Sequence, residues 1–249
     1  MATFGLLGKK LGHSFSKKYF TDKFAQLSLQ HTYQLFEIDP ITQIEAILAQ
    51  NTDLAGLNVT IPYKEAVIPY LSSLDPSAAK VGAVNVIKVT HNGLIGYNSD
   101  YYGFKQSLAA WLPAGIQAQA LVLGYGGAAK AVVAALADMG IPYQIVSRAA
   151  SNNTITYQAL HAQPGLLKQH QLIINTTPLG MAPNVQSFPE INYSLLGSGH
   201  YLYDLVYNPK TTTFMAKGSS VGANTKNGLE MLHLQAERSW AIWNSPAQH

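Results

Sequence analysis

The chain has 249 residues, 47% hydrophobic and only 12% charged, with 20 glycines, 12 prolines and no cysteine. That excludes disordered, collagen-like and disulfide-stapled chains, thiolate metal sites and thiol nucleophiles, and leaves one large or two small globular domains. Sixteen Lys+Arg against thirteen Asp+Glu give +3 without a dense basic stripe, which suits small anions and gives no support for nucleic acid. The opening MATFGLLGKK has no basic region before its apolar run, and no apolar stretch reaches the roughly 18 residues of a membrane span, so a soluble cytoplasmic protein with no membrane partner is expected.

In chain order, 3–8 reads as a strand, and Phe20, Phe24 and Leu27 share one helical face. Residues 32–38 read as a strand, Ile41, Ile44 and Leu48 mark a helix, and 54–59 is another strand. Residues 84–89 and 94–97 form a hairpin around His91-Asn92-Gly93, with Asn-Gly supplying positive φ. From residue 119 the pattern becomes regular: strand 120–123, a glycine-rich turn 124–127, an Ala-rich helix 128–139 closed by Gly140 and Pro142, and strands 143–147, 172–175 and 201–205. Alternating strands and helices imply a parallel sheet with right-handed crossovers, and a boundary falls near Tyr101. Residues 227–244 form one amphipathic helix carrying Leu229, Leu232, Ala236, Trp240 and Trp243.

Gly124-Tyr125-Gly126-Gly127-Ala128-Ala129 follows a strand and opens a helix, the context of a dinucleotide fingerprint. Gly124 makes the tight turn, and Gly126 lets backbone N–H groups approach a pyrophosphate at the helix's positive end. The simpler alternative is a strand–turn–helix whose glycines only satisfy geometry. Lys64 lies just after Pro62, at the carboxyl end of a buried strand, where open α/β sheets bind ligands. A lysine there can serve as a general acid/base, but on this segment alone a surface lysine paired with Glu65 or Glu45 is the better explanation. Asp100 precedes a helix, and in isolation it or Ser99 is best explained as the helix cap. Ser14 and Ser16 can hold a carboxylate or cap a helix from Lys17. The eight histidines show no metal-ligand spacing and no G-x-S-x-G elbow appears, so neither a metal site nor serine hydrolase chemistry is expected.

Eight segments, in order, resemble the shikimate dehydrogenase family: GHSFS (12–16), NVTIPYKE (58–65), GAVNVI (82–87), GYNSD (96–100), GYGGAA (124–129), NTTPLGM (175–181), YDLVYNPKTTTFM (203–215) and NGLEMLHLQA (227–236). The resemblance implies an α/β fold: an N-terminal substrate domain with a mixed sheet (1–100), an NADP-binding Rossmann-like domain (101–226), and a C-terminal helix returning to the first (227–249). It implies reversible NADP-dependent reduction of 3-dehydroshikimate to shikimate, on the route to chorismate and the aromatic amino acids, by a monomer or homodimer acting on small molecules. Lys64 and Asp100 are the implied catalytic pair. Ser14 and Ser16 hold the substrate carboxylate with Tyr207, and Thr60, Asn85 and Gln235 hold ring hydroxyls. Gly124, Tyr125, Gly126, Gly127 and Ala128 cradle the cofactor, and Leu205 and Gly228 meet its nicotinamide end through backbone groups.

Four positions depart from the family pattern. Lys17 replaces a proline, Tyr125 a small residue, Ser99 a threonine, and the loop from Ser147 and Arg148 carries one cation instead of two. No acid occurs from 142 to 153, and an acid near there would select NAD, so NADP is expected over NAD, with Ser147 and Arg148 at its 2′-phosphate. The rival readings are a quinate/shikimate dehydrogenase with relaxed substrate or NAD use, and a nucleotide-binding sensor without turnover, which needs neither Lys64 nor Asp100.

Overall fold

A computed structural model describes residues 1–12 and 14–246, so His13 of the GHSFS segment and His249 lie outside the described residues. The chain divides into two compact units, one of residues 1–99 with the segment from Gln235 onward, the other of residues 100–234. In the first unit, β1 (Thr3–Gly8), β2 (Thr32–Glu37), β3 (Leu54–Val59), β4 (Ser73–Leu74), β5 (Val86–Thr90) and β6 (Gly93–Tyr97) make one sheet in the order β2-β1-β3-β5-β6-β4. β1 runs parallel to β2 and β3, whereas β5 is antiparallel to β3 and β6, so the sheet is mixed. β1 is buried along its whole length, as expected of a strand covered on both faces. Helices α1 (Phe15–Gln26), α2 (Ile44–Gln50), α3 (Tyr63–Ala66) and α4 (Pro76–Val81) complete the first ninety residues. Leu7, Ile44, Leu57, Val67 and Ile87 form the core on one face, and Phe4, Phe20, Phe24 and Tyr33 on the other.

The second unit takes up α5 (Ser99–Trp111) from Asp100 onward, then β7 (Ala120–Leu123), α6 (Gly127–Asp138), β8 (Tyr143–Ser147), β9 (Thr154–Thr156), α7 (Tyr157–Ala162), α8 (Pro164–Gln169), β10 (Leu172–Asn175), β11 (Tyr201–Asp204), α9 (Thr213–Ser220) and β12 (Asn224–Lys226). Its six strands are all parallel, in the order β12-β11-β10-β7-β8-β9. The order reverses between β7 and β10. In doubly wound sheets ligands bind outside the carboxyl ends of the strands at that point.

The last helix, α10 (Leu229–Asn244), carries Trp243, whose ring centroid lies 4.8 Å from that of Phe4 and 5.0 Å from that of Phe20. Its indole N–H donates to the Ile87 carbonyl at 3.0 Å, and only glycine fits opposite it, because a Cβ on Gly56 would stand 2.3 Å from Nε1. The helix therefore returns to the first unit's sheet, which is the architecture the resemblance implies.

Some local expectations change. Leu27 caps the end of α1 half exposed, off the buried stripe of Phe20 and Phe24. The 84–89 strand starts later, at Val86, because Val84 donates to the Lys64 carbonyl instead. In the hairpin only Gly93 has positive φ, at +117°; Asn92 does not, and the Thr90 hydroxyl holds the turn by bonding the Gly93 carbonyl and the Asn92 N–H. No helix among the described residues is long and apolar enough to cross a membrane.

Candidate active site

In the first unit the expected residues gather at the carboxyl ends of β1 and β3 and around β5. Ser14 caps α1, its hydroxyl accepting the Lys17 N–H at 3.3 Å, so the helix starts at Phe15 rather than Lys17. Ser16 lies in the first turn of α1, and Tyr33 on β2 is a buried phenol whose pKa is pushed well up, chiefly by burial. Thr60 leaves β3 with its N–H on the Leu7 carbonyl at 2.9 Å, and its own carbonyl accepts from Tyr63 at the start of α3. Lys64 follows on this short helix, half-buried, its carbonyl anchored by the Val84 N–H at 2.7 Å.

Asn85, Ser99 and Gln235 do come together. The Asn85 carboxamide receives the Ser99 N–H at 2.7 Å and donates to the Ser99 hydroxyl at 3.0 Å, and that hydroxyl lies 3.3 Å from both Gln235 Oε1 and Ser239 Oγ. Ser239 in turn accepts from Asn58 at 3.0 Å, and Asn58 accepts from Tyr33 at 2.7 Å. A buried polar chain thus runs from Tyr33 on β2 through Asn58 to Ser239 on α10. α5 already includes Ser99 and Asp100, so Asp100 sits in its first turn and neither residue precedes the helix as its cap.

In the second unit the glycine turn lies where the strand order reverses. Gly124 has φ +109°, and a Cβ there would meet Thr176 Oγ1 and Thr177 Cγ2 at 2.8 Å, so its own fold demands glycine. Gly126 and Gly127 are different: a Cβ on either would meet nothing within 4 Å, and no side chain caps α6 at Gly126. Open space over the uncapped start of a twelve-residue helix fits a dinucleotide's pyrophosphate, with Ala128 in that first turn and Tyr125 exposed beside it. The Gly124 N–H bonds the Val146 carbonyl at 2.8 Å, which sets Ser147 and Arg148 beside the turn. Arg148 is exposed. The Ser147 hydroxyl is spent on its own loop, donating to the Ala149 carbonyl. Leu205 and Gly228 meet directly: a Cβ on Gly228 would stand 2.1 Å from the Leu205 carbonyl oxygen. Tyr207 lies two residues on, at the surface, its phenol pKa raised by burial of part of the ring.

One group escaped sequence reasoning. Asp204 ends β11 fully buried, and its carboxylate accepts from Asn175 at 2.9 Å, from the Val206 N–H at 3.0 Å and from the Thr212 hydroxyl at 2.5 Å. Burial outweighs these bonds and pushes its pKa up to about 6. Asn58, Asn175 and Asp204 share a visible signal: each is a polar residue at or next to the carboxyl end of an otherwise apolar strand. Among the described residues no cluster of three or more His, Asp or Glu could hold a metal ion.

Residues 6–87 match the family model described as the shikimate dehydrogenase substrate binding domain. The shikimate dehydrogenase (NADP(+)) of Clostridium beijerinckii is 38% identical over 256 residues, covering 98% of this chain and 92% of that protein. Among solved structures, shikimate dehydrogenase 1 of Peptoclostridium difficile superposes with a TM-score of 0.83 at 36% identity, covering 100% of this chain and 94% of that one. The shikimate 5-dehydrogenase of Thermus thermophilus, solved in complex with NADP(H) and shikimate, gives 0.85 at 28% identity over 100% of this chain and 95% of that one. On the strength of near-full-length identity joined to a common two-unit fold, the chain belongs to the shikimate dehydrogenase family.

Proposed function

We propose that the chain is an NADP-dependent oxidoreductase that interconverts 3-dehydroshikimate and shikimate. The observation that carries this is the 38% identity, over 98% of the chain, to a shikimate dehydrogenase (NADP(+)). Residues 1–100 with the returning C-terminal helix bind the substrate, and residues 101–226 bind NADP. When bound, NADPH supplies the hydride that reduces the ring ketone.

The protein's residues then hold the ring and manage one proton. Ser14 and Ser16, with Tyr207, receive the substrate carboxylate through hydroxyls, without a formal positive charge. Thr60, Asn85 and Gln235 hold the ring hydroxyls; the buried bonds among Asn85, Ser99 and Gln235 support this, because they hold the Asn85 and Gln235 side chains in place before substrate arrives. The Lys64 ammonium stabilises the negative charge that develops on the ketone oxygen and then donates its proton, giving the alcohol. Asp100 positions Lys64 and accepts from a substrate hydroxyl. In the reverse direction neutral Lys64 takes the hydroxyl proton.

Gly124, Gly126, Gly127 and Ala128 receive the pyrophosphate at the start of α6, Tyr125 lies over it, and Arg148, with Ser147 shaping its loop, meets the 2′-phosphate. Leu205 and Gly228 present backbone groups to the nicotinamide. The enzyme works in the cytoplasm as a monomer or homodimer. The test is an absorbance assay at the nicotinamide band, offering shikimate and quinate each with NADP and NAD. Shikimate with NADP is expected to give the highest kcat/KM. Faster turnover of quinate, or equal use of NAD, would overturn the substrate or the cofactor assignment respectively.

A further inference from the structure

Asp204 is a fully buried carboxylate to which the mechanism above gives no role. Among the described residues it has no ion-pair partner, and an isolated buried charge is costly unless its hydrogen bonds are well made. Here they tie the end of β10 to both ends of the loop between β11 and α9. Its Oδ1 accepts from the Val206 N–H at 3.0 Å and from Asn175 Nδ2 at 2.9 Å, and its Oδ2 accepts from the Thr212 hydroxyl, which itself caps α9 by accepting the Met215 N–H. Asn175 extends the connection: its Oδ1 accepts from the Thr177 N–H at 3.0 Å and the Thr177 hydroxyl at 2.6 Å, and Thr177 is one of the two side chains that leave no room for a Cβ on Gly124.

Leu205 is held from both sides. Its N–H bonds the Asn175 carbonyl at 3.0 Å, and the N–H of the next residue bonds Asp204. The peptide between Leu205 and Val206 therefore has one orientation, with the Leu205 carbonyl against Gly228, whose N–H bonds the Val206 carbonyl at 3.2 Å.

We propose that Asp204 is a positioning residue for the nicotinamide end of the cofactor site, its carboxylate setting the Leu205–Val206 backbone against Gly228. The inference rests on the reading that Leu205 and Gly228 meet the nicotinamide. Asp204 touches no reacting atom, so its removal misaligns the ring while leaving the adenine half of the site intact.

The test uses the full-length enzyme and three variants, Asp204→Ala, Asp204→Asn and Gly228→Ala. Turnover with shikimate and NADP is measured beside the dissociation constant of 2′,5′-ADP, which occupies only the adenine half, and the melting temperature. Asp204→Ala is expected to lower kcat about ten- to hundredfold, the scale of a small misplacement of reacting groups, with the 2′,5′-ADP constant and the KM for shikimate unchanged. Asp204→Asn is expected to recover most of that loss, because its carbonyl still accepts from Val206 and Asn175 while its amide donates to Thr212. Near wild-type turnover in Asp204→Ala would overturn the proposal. So would a loss of 2′,5′-ADP binding in step with kcat, which would make Asp204 a general prop of the unit. Gly228→Ala separates the two readings: undiminished turnover there would remove the nicotinamide assignment of Leu205 and Gly228, and the role of Asp204 with it. Slow Gly228→Ala beside unaffected Asp204→Ala would remove only the latter.

Discussion

The first unit builds its candidate site from side chains whose polar atoms are buried and already bonded to one another, as in the Asn85, Ser99 and Gln235 cluster. The second builds its site from backbone, exposed at Gly126 and Gly127 and brought close at Gly124 and Gly228. The difference follows from the ligands each suits. A polyhydroxylated ring offers donors and acceptors in a pattern that only oriented side chains can read, and a site built to bond hydroxyls rejects analogues that lack them. A pyrophosphate needs N–H groups and room, and a glycine turn at a helix start gives both. The first site is therefore broken by removing atoms and the second by adding them.

Removing atoms at Lys64 gives the largest effect. Lys64→Ala is expected to lower turnover by roughly a hundred- to ten-thousandfold, the scale of a lost general acid/base. NADPH affinity, measured by fluorescence titration, stays unchanged because the loss is confined to the first unit. Near wild-type turnover would return Lys64 to an ordinary surface lysine.

Adding one carbon at Gly124 comes next. Gly124→Ala must place a side chain at φ +109° and 2.8 Å from Thr176 Oγ1 and Thr177 Cγ2. Thermal unfolding should report a loss of about 1–3 kcal/mol, the cost of a strained non-glycine conformation, together with weaker NADPH binding. Unchanged stability would mean that the turn relaxes freely.

Ser14→Ala and Ser16→Ala return to subtraction on a smaller scale. Each is expected to raise the KM for shikimate about three- to tenfold with a lesser change in kcat, since a neutral hydrogen bond to the carboxylate serves ground and transition states alike. Ser14→Ala should also cost about 1 kcal/mol of stability, because it removes the cap of α1. Steady-state kinetics in which kcat falls more than KM rises would put these serines at the reacting carbon.

Arg148 is the one charged side chain at the cofactor site on this account, and it carries the smallest effect. Arg148→Ala is expected to raise the KM for NADP about two- to fivefold, the scale of one solvent-exposed ionic contact, and to leave that for NAD unchanged. An equal change for both cofactors would assign Arg148 to the adenine rather than to the 2′-phosphate.

How much of this the sequence discloses depends on the length over which a signal repeats. The strands at Thr3–Gly8, Leu54–Val59, Ala120–Leu123 and Leu172–Asn175 are legible because each is a largely apolar run buried in the middle of a sheet. The two- and three-residue strands β4, β9 and β12 leave no periodic trace, since backbone pairing at the sheet's margin makes them. α4 carries a signal too short for periodicity to pick out: Asp75-Pro76 is a cap followed by a first-turn proline, and Gly82 closes the helix at φ +69°. The glycine turn is readable because glycine is the signal itself. Asp204 and the chain from Tyr33 through Asn58 to Ser239 are not, because their partners lie up to 181 positions apart and only the folded chain joins them.

The division of labour is tested most directly by calorimetric titration of shikimate and NADPH, separately, into wild type, Gln235→Ala and Gly126→Ala. Gln235→Ala removes a carboxamide from the first unit, and Gly126→Ala adds a methyl into space the protein itself leaves open. The account predicts that Gln235→Ala weakens shikimate about tenfold and leaves NADPH untouched. It predicts that Gly126→Ala weakens NADPH about tenfold or more, with shikimate binding and the melting temperature unchanged. Equal weakening of both ligands by either variant would contradict it.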